Sequence, residues 1–284
     1  MARIDRMQLE RRIVFLVLVV AVALPIIFPL GLKTYGTPLT KKAYDLVDST
    51  PAGAPVIISF DYDPSTVTEL QPMAEAVIEH AWKKGHHIIA TAMWPQGSKM
   101  ADLAFARVQE KFGNDKVYGV DYVNLGYKVG GMVVIQGMGR NFKTVFPRDN
   151  SGQNYEDIPL LEPVRTLQDI RYVVSLSAGD PGLRDWIMTA RGKYGVPVAG
   201  GTTAVSAPGF LPYVNDQNQL YGLMGGMKAA AEYELLLGYE GSASLNMNPQ
   251  SVAHILILVL IALGNIKAWR KRKEDRKATE ANNA

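Results

Sequence analysis

The sequence predicts an α/β domain with a doubly wound, mostly parallel, Rossmann-like sheet, flanked by one N-terminal and one C-terminal transmembrane helix. Two observations predict this architecture. Short apolar strands alternate with amphipathic helices through the middle of the 284-residue chain, and an uncharged apolar run lies near each end. Repeated β-α units with short connections favour parallel strands covered by helices on both faces.

The first apolar run, residues 13–32, is the predicted first transmembrane helix. Its 20 uncharged residues match a hydrocarbon core about 30 Å thick at about 1.5 Å per residue. A cleaved signal peptide is the alternative, because Ala21-Val22-Ala23 fits the small-residue rule for cleavage. That cleavage site would lie inside the apolar run, so we expect an uncleaved anchor.

The second apolar run, residues 251–266, begins the predicted second transmembrane helix, residues 251–269. Trp269 and the stems of Lys267 and Arg270 extend it to the membrane interface. A buried helix of a soluble domain is the alternative. The basic cluster that follows directly is instead typical of a stop-transfer segment, and this favours a membrane span.

Positive charge is concentrated at the two ends of the chain. Residues 1–33 contain 5 Lys and Arg against 2 Asp and Glu, and residues 250–284 contain 7 against 3. Residues 34–249 contain 18 against 22. The acidic middle therefore argues against a nucleic-acid partner, and the lack of cysteine excludes disulfides and thiolate nucleophiles.

The distribution of these cations predicts the membrane topology. By the positive-inside rule, residues 1–12 and the basic tail, residues 270–284, lie in the cytoplasm. Two spans with both ends inside place residues 33–250 outside. The sequence thus predicts a plasma (inner) membrane protein with one extracytoplasmic domain.

The elements of the middle domain follow in a regular order. Residues 56–60 are a β-branched run suited to a buried strand, and apolar side chains recur with a helical period over residues 64–84. The alternation is interrupted at about residues 122–165, where GMVVIQGMG and FKTVFP predict a hairpin or a small insertion. The remaining predicted elements are strands 87–93, 116–120, 171–177 and 197–201, and helices 98–113, 182–195 and 217–237.

Four stretches of this domain carry a resemblance to a known family. They are SFDYDPST with ELQPMA, GVDYVNLGYKVGG, SLSAGDPG, and NQL with KAAAEYE. Together they resemble an uncharacterised family of prokaryotic two-span membrane proteins with a Rossmann-like ectodomain. The resemblance covers nearly the whole domain and implies its architecture, but this family brings no assigned activity.

Asp61 and Asp63 directly follow the first predicted strand. This arrangement is similar to the nucleophile motif of haloacid-dehalogenase-like phosphatases, and residues 175–185 loosely resemble their acidic metal-binding motif. The resemblance implies a metal-dependent, phosphatase-like hydrolase that uses Asp61, Asp63 and Asp180. The alternative is a helix start, with Asp63 as the N-cap and Pro64 as the first helical residue. A helix that begins at once leaves no room for the loop that follows the phosphatase nucleophile, so the sequence favours capping.

Ligands of open parallel sheets bind beyond the carboxyl ends of the strands. The glycine-rich stretch 200–209 fits either an anion held by backbone amides or tight packing alone, and Asp180 fits either a ligand contact or a helix cap. The four histidines have no spacing that converges on one site, so neither a metal nor a cofactor is expected. The candidate ligand-binding residues are Asp61, Asp63, Ser177, Asp180, Thr202, Thr203 and Ser206.

The last predicted helix carries small residues four positions apart, namely Gly222, Gly226 and Ala230. Such a face either packs flat on the sheet or contacts another protein, because each interior glycine costs about 0.5–1 kcal/mol relative to alanine. The preceding loop offers Phe210, Leu211 and Tyr213 to a partner or to the membrane surface. We therefore expect an extracytoplasmic binding or assembly module whose partners are other membrane proteins or a second copy, with a small polar ligand as a further option.

Overall fold

A computed structural model describes residues 6–28 and 36–282. The chain divides into two compact units. One unit contains the helix near the amino terminus and the last helix from Leu245 onward. The other unit, Thr34–Ser244, is the α/β domain.

Six parallel strands form one sheet in the order β3-β2-β1-β4-β5-β6. This is the strand order of doubly wound dinucleotide-binding folds, and it confirms the prediction of a Rossmann-like α/β domain. The strands are β1 Pro55–Asp61, β2 His87–Ala92, β3 Tyr122–Tyr127, β4 Val173–Ser177, β5 Val198–Thr202 and β6 Gly222–Gly225.

Helices pack on both faces of the sheet. Helix α3 contacts both α4 and α9, whereas α5 and α7 pack with residues 141–170 around the core of the opposite face. A π-helical turn, Ile187–Arg191, joins α7 to α8. The helices are α1 Arg6–Ile27, α2 Pro38–Asp48, α3 Val67–Lys83, α4 Gly97–Lys111, α5 Met132–Arg140, α6 Phe142–Val145, α7 Leu183–Trp186, α8 Gly192–Tyr194, α9 Gly226–Leu236 and α10 Ser242–Asn282.

The third strand and the insertion differ from the prediction. The predicted strand 116–120 is a turn region in which Val117 is 54% exposed, and the strand that pairs with β2 lies later, at Tyr122–Tyr127. The predicted hairpin is α5 and α6. Gly131, with a φ of +50°, lies in the turn before α5, but Gly137 and Gly139 lie inside the helix. A Cβ at Gly139 would lie 2.0 Å from the Tyr194 ring, so close packing requires glycine there.

The last predicted helix, residues 217–237, is also wrong in its first half. Gly222 lies in β6, Gly226 begins α9 with a φ of +68°, and Ala230 is buried within α9. These three residues therefore do not form one helical face. A Cβ at Gly222 would lie 2.2 Å from the backbone nitrogen of Ala43, so the small residue allows α2 of the same chain to approach β6.

Of the described helices, one is long and apolar enough to cross a membrane, Ser242–Arg270 within α10. The predicted second span, residues 251–269, lies inside it. Helix α1 contains 15 uncharged residues after Arg12, and residues 29–32 of the predicted first span lie outside the described residues. Within this unit the Lys267 ammonium lies 3.1 Å from the Glu10 carboxylate.

Candidate functional site

Asp61 ends β1 at the point where the strand order reverses, between β1 and β4. Its Cα is in register with that of Ser177 at the end of β4. In open parallel sheets this switch point is the usual ligand crevice. Here the Asp61 side chain is completely buried, so the residue lies beneath the crevice rather than in it.

The Asp61 carboxylate is held by hydrogen bonds from its own strand and its neighbours. The Met93 amide donates to Oδ1 at 2.8 Å, and the Ser59 and Ser175 hydroxyls donate to Oδ2 at 2.8 and 3.4 Å. The Trp186 indole also favours the ionised form, although its geometry falls short of a hydrogen bond. Burial outweighs these contacts and raises the pKa of Asp61 to about 7.

Protein atoms close the crevice above Asp61. The half-buried Trp94 side chain donates from Nε1 to the Pro181 carbonyl at 2.8 Å, which joins the loop after β2 to the loop after β4. A Cβ at Gly179 would lie 3.4 Å from the Trp94 ring, and one at Gly182 would lie 2.0 Å from the Ser177 hydroxyl. The two loops are therefore packed together where a ligand would enter.

The turn after β1 confirms the prediction that Asp63 is a cap. Its carboxylate accepts from the Ser65 hydroxyl and the Ser65 amide and begins the 3-10 turn Pro64–Thr66, which leads into α3. These hydrogen bonds lower the pKa of Asp63. A carboxylate thus occupies the helix start at which dinucleotide-binding folds hold a phosphate, so this turn does not provide a phosphate site.

Asp180 is not the helix cap that the sequence allowed. Its side chain is 71% exposed, and its nearest cation is Arg184 at 4.0 Å. The residue that begins α7 is Gly182, whose amide donates to the Asp185 carboxylate at 2.9 Å. The chain runs two residues further before it turns into the helix, because the loop first packs beneath Trp94.

The remaining polar candidates are engaged within the loops or buried. The Ser177 hydroxyl donates to the Gly179 carbonyl at 2.7 Å, and Thr203 donates to Ser206 at 3.0 Å. The Thr202 hydroxyl is buried without a partner among the described residues. A Cβ at Gly200 would lie 2.3 Å from Leu183, so the geometry of the glycine-rich stretch supports close packing.

No group of three or more His, Asp or Glu side chains among the described residues is placed to hold a metal ion. His80 and His86 are both buried, and each has Nδ1 within hydrogen-bond distance of a tyrosine hydroxyl, at 2.9 Å for Tyr233 and 3.1 Å for Tyr172. Burial lowers the pKa of His80 to about 4 and also lowers that of His86. Both imidazoles are therefore neutral at pH 7.

A second polar region, which the sequence analysis missed, lies on α9. Glu232 is 1% exposed and accepts at Oε2 from the Thr37 amide, the Thr37 hydroxyl and the Thr40 hydroxyl, at 3.1, 2.7 and 2.7 Å. It therefore binds the first turn of α2. The only sequence signal is that Thr37-Pro38 begins a helix whose first turn contains no acid.

Glu234 does the same for the start of α10. Its buried carboxylate accepts from the amides of Gly241, Ala243 and Ser244 at 2.9–3.1 Å, and from the Ser244 hydroxyl at 2.8 Å. Two carboxylates only two residues apart on α9 thus bind the chain where it enters and where it leaves the α/β domain.

The three predicted interface residues of the loop before β6 differ in their exposure. Phe210 is buried in the core, Leu211 is 47% exposed, and Tyr213 is half-buried with its hydroxyl 3.2 Å from Arg184. Leu211 and Thr37 line one pocket of about 240 Å³ between α2 and this loop.

No protein-family model, curated protein or solved structure matches this chain.

Proposed function

We propose that the chain is an integral-membrane protein whose α/β domain lies outside the cytoplasm and serves as a binding or assembly module. The observation that carries this proposal is the closed switch point. Asp61 is completely buried and hydrogen-bonded, and Trp94 joins the two loops above it. Ligands of this fold usually bind in an open crevice there, so the closure supports a role that depends on the surface of the domain.

The membrane part of the proposal rests on α10 and on the charges. The apolar part of α10 is long enough to cross a bilayer, and seven Lys and Arg follow it between residues 267 and 277. Arg3, Arg6, Arg11 and Arg12 precede the first apolar run. In both cases the cations lie between the apolar run and the nearer end of the chain, and by the positive-inside rule this supports cytoplasmic termini. The partners proposed are other membrane proteins or a second copy.

Cysteine labelling tests the topology, because the chain contains no native cysteine. Ser151→Cys and Asn215→Cys should react with a membrane-impermeant maleimide in intact cells. Ala278→Cys should react only after the membrane is permeabilised. The reverse pattern would place the α/β domain in the cytoplasm and overturn the proposal.

The rival is a metal-dependent, phosphatase-like hydrolase that uses Asp61, Asp63 and Asp180. One observation favours it: Asp61 has a raised pKa and lies at a switch point, as functional acids often do. Full-length protein in detergent should hydrolyse phenyl phosphate with Mg²⁺ no faster than Asp61→Asn. A rate that falls by orders of magnitude in Asp61→Asn, but persists in Glu240→Ala, would support the hydrolase instead.

A further inference from the structure

The loop between β5 and β6 presents an exposed apolar surface. Val205 is 90% exposed and Leu211 is 47% exposed, and Pro208 and Pro212 beside them are exposed as well. We call residues 205–212 the apolar loop. Single exposed apolar residues are ordinary, but here four lie within eight residues of one loop.

The domain holds this loop in a fixed shape. Phe210 is buried in the core between the exposed residues, and the Arg184 guanidinium lies 5.8 Å from the centre of its ring. At the start of the loop, the Ala204 amide donates to Glu69 of α3 at 2.8 Å. Apolar side chains that stay exposed on a fixed loop are available to a partner without a cost of ordering it.

The apolar loop lies beside the point where the chain enters the domain. Leu211 and Pro208 line the same pocket as Thr37, and Thr37 is bound by Glu232 of α9. The last residue of the first apolar run, Leu32, precedes Thr37 by five residues. Five residues span at most about 18 Å, whatever their conformation.

We propose that the apolar loop docks on the outer leaflet of the bilayer that holds the chain's own spans. Val205 and Leu211 enter the boundary between the headgroups and the acyl chains, where exposed apolar side chains are favourable. Lys228 lines the same pocket with its side chain 60% exposed, and its ammonium lies 3.4 Å from the buried Glu232 carboxylate. In the docked state this ammonium would also lie near the lipid phosphates. This inference rests on the proposed membrane anchorage and specifies which surface of the domain faces the lipid.

Spin labels test the proposal in the full-length chain. Val205→Cys and Leu211→Cys are labelled singly and reconstituted in vesicles of equal parts phosphatidylcholine and phosphatidylglycerol. Val117→Cys is the control, because Val117 is 54% exposed, a fraction close to that of Leu211 and lower than that of Val205, and precedes β3. We expect several-fold lower accessibility to a water-soluble nickel chelate at positions 205 and 211 than at position 117, with higher accessibility to oxygen.

Two results would overturn the proposal. One is nickel accessibility at 205 and 211 as high as at 117. The other is equal shielding in detergent micelles, accompanied by crosslinking between two chains, which would assign the loop to a protein contact. A label at Ile257 in α10 distinguishes a failure of the loop docking from a failure of the membrane anchorage. If it too is accessible to nickel, the membrane anchorage itself fails; if it lies in lipid while the loop labels lie in water, only the docking fails.

Discussion

Asp61 and Glu234 are both buried carboxylates, and their surroundings differ in one respect. Glu234 accepts three backbone amides and a hydroxyl at the start of α10, where the helix also places a partial positive charge. Asp61 accepts one backbone amide and two hydroxyls, one of them at 3.4 Å. Burial therefore dominates at Asp61 and raises its pKa to about 7.

This difference separates two kinds of buried acid. At the switch point, burial raises the pKa of the acid to about 7, and its side chain lies beneath the crevice. On α9, two acids bind the helix starts through which the chain enters and leaves the domain. The carboxylates of α9 thus hold the two ends of the α/β domain through several hydrogen bonds each.

The largest expected effect is on the α9 side, at the contact of β6 with α2. Gly222→Ala places a Cβ about 2.2 Å from the Ala43 backbone nitrogen, and backbone cannot move aside as a flexible side chain does. We expect a loss of about 3 kcal/mol or more in the free energy of unfolding, because overpacking displaces α2. Urea unfolding in detergent, followed by tryptophan fluorescence, measures it.

Gly209→Ala is the control, because no atom lies within 4 Å of its added Cβ. It should change the free energy of unfolding by less than about 0.5 kcal/mol. Equal losses in the two variants would mean that α2 does not approach β6 as closely as described.

Glu234→Ala should cost slightly less. It leaves the amides of Gly241, just before α10, and of Ala243 and Ser244 in its first turn without their acceptor. We therefore expect a loss of about 2–3 kcal/mol. Glu240→Ala, an exposed acid six residues later, is the matched control and should have little effect. If both substitutions are equally mild, water replaces the carboxylate and Glu234 does not hold the helix start.

Residue patterning predicted much of this fold. The parallel sheet follows from apolar runs that alternate with helical stripes, and Asp63 follows from the cap and proline signals that act within three residues. The α5 glycines and the Gly222 strand could not be assigned in this way. A glycine that allows a turn and a glycine that allows two elements to approach closely look the same in the sequence. Only the position of the neighbouring helix in the fold distinguishes the two roles.

The polar sites were predicted less completely for the same reason. Asp61 was singled out, but two of its hydrogen-bond partners, Met93 and Ser175, lie 32 and 114 residues later in the sequence. Glu232 and Glu234 were missed because their hydrogen-bond partners lie 195 residues earlier and up to 10 residues later. Neither a contact across the whole domain nor one between a helix and the loop after it follows the residue periodicity that predicts helices and strands.

Asp61→Asn sharpens the comparison through pH. Between about pH 4 and pH 7 the folded protein keeps the Asp61 proton while the unfolded chain loses it. The wild-type free energy of unfolding should therefore fall as the pH rises, by up to about 1.4 kcal/mol per pH unit from this residue. The variant removes this slope, so its stability relative to wild type should increase from pH 4 to pH 7. A constant difference would contradict the raised pKa.

His80 should change the free energy of unfolding with pH in the opposite direction to Asp61, over a narrower pH range. Its pKa is lowered to about 4, from an ordinary value of 6.5, so the unfolded chain binds a proton between these values while the folded protein does not. Stability should fall as the pH falls through this window. His80→Gln should remove part of that loss in the same urea titration, whereas an unchanged slope would mean that His80 is protonated in the folded state.

The smallest expected effect distinguishes Asp63 from Asp61, two positions away. Asp63→Ala removes the acceptor for the Ser65 amide and should cost about 0.5–1 kcal/mol at pH 7. Asp63→Asn keeps a side-chain oxygen for that amide and should cost almost nothing. Both variants should follow the wild-type pH slope between pH 5 and 7, since this partly exposed cap is ionised throughout that range. If Asp63→Asn lost as much as Asp63→Ala, the charge rather than the cap would stabilise this turn, and the carboxylate would then be free to have a role other than capping.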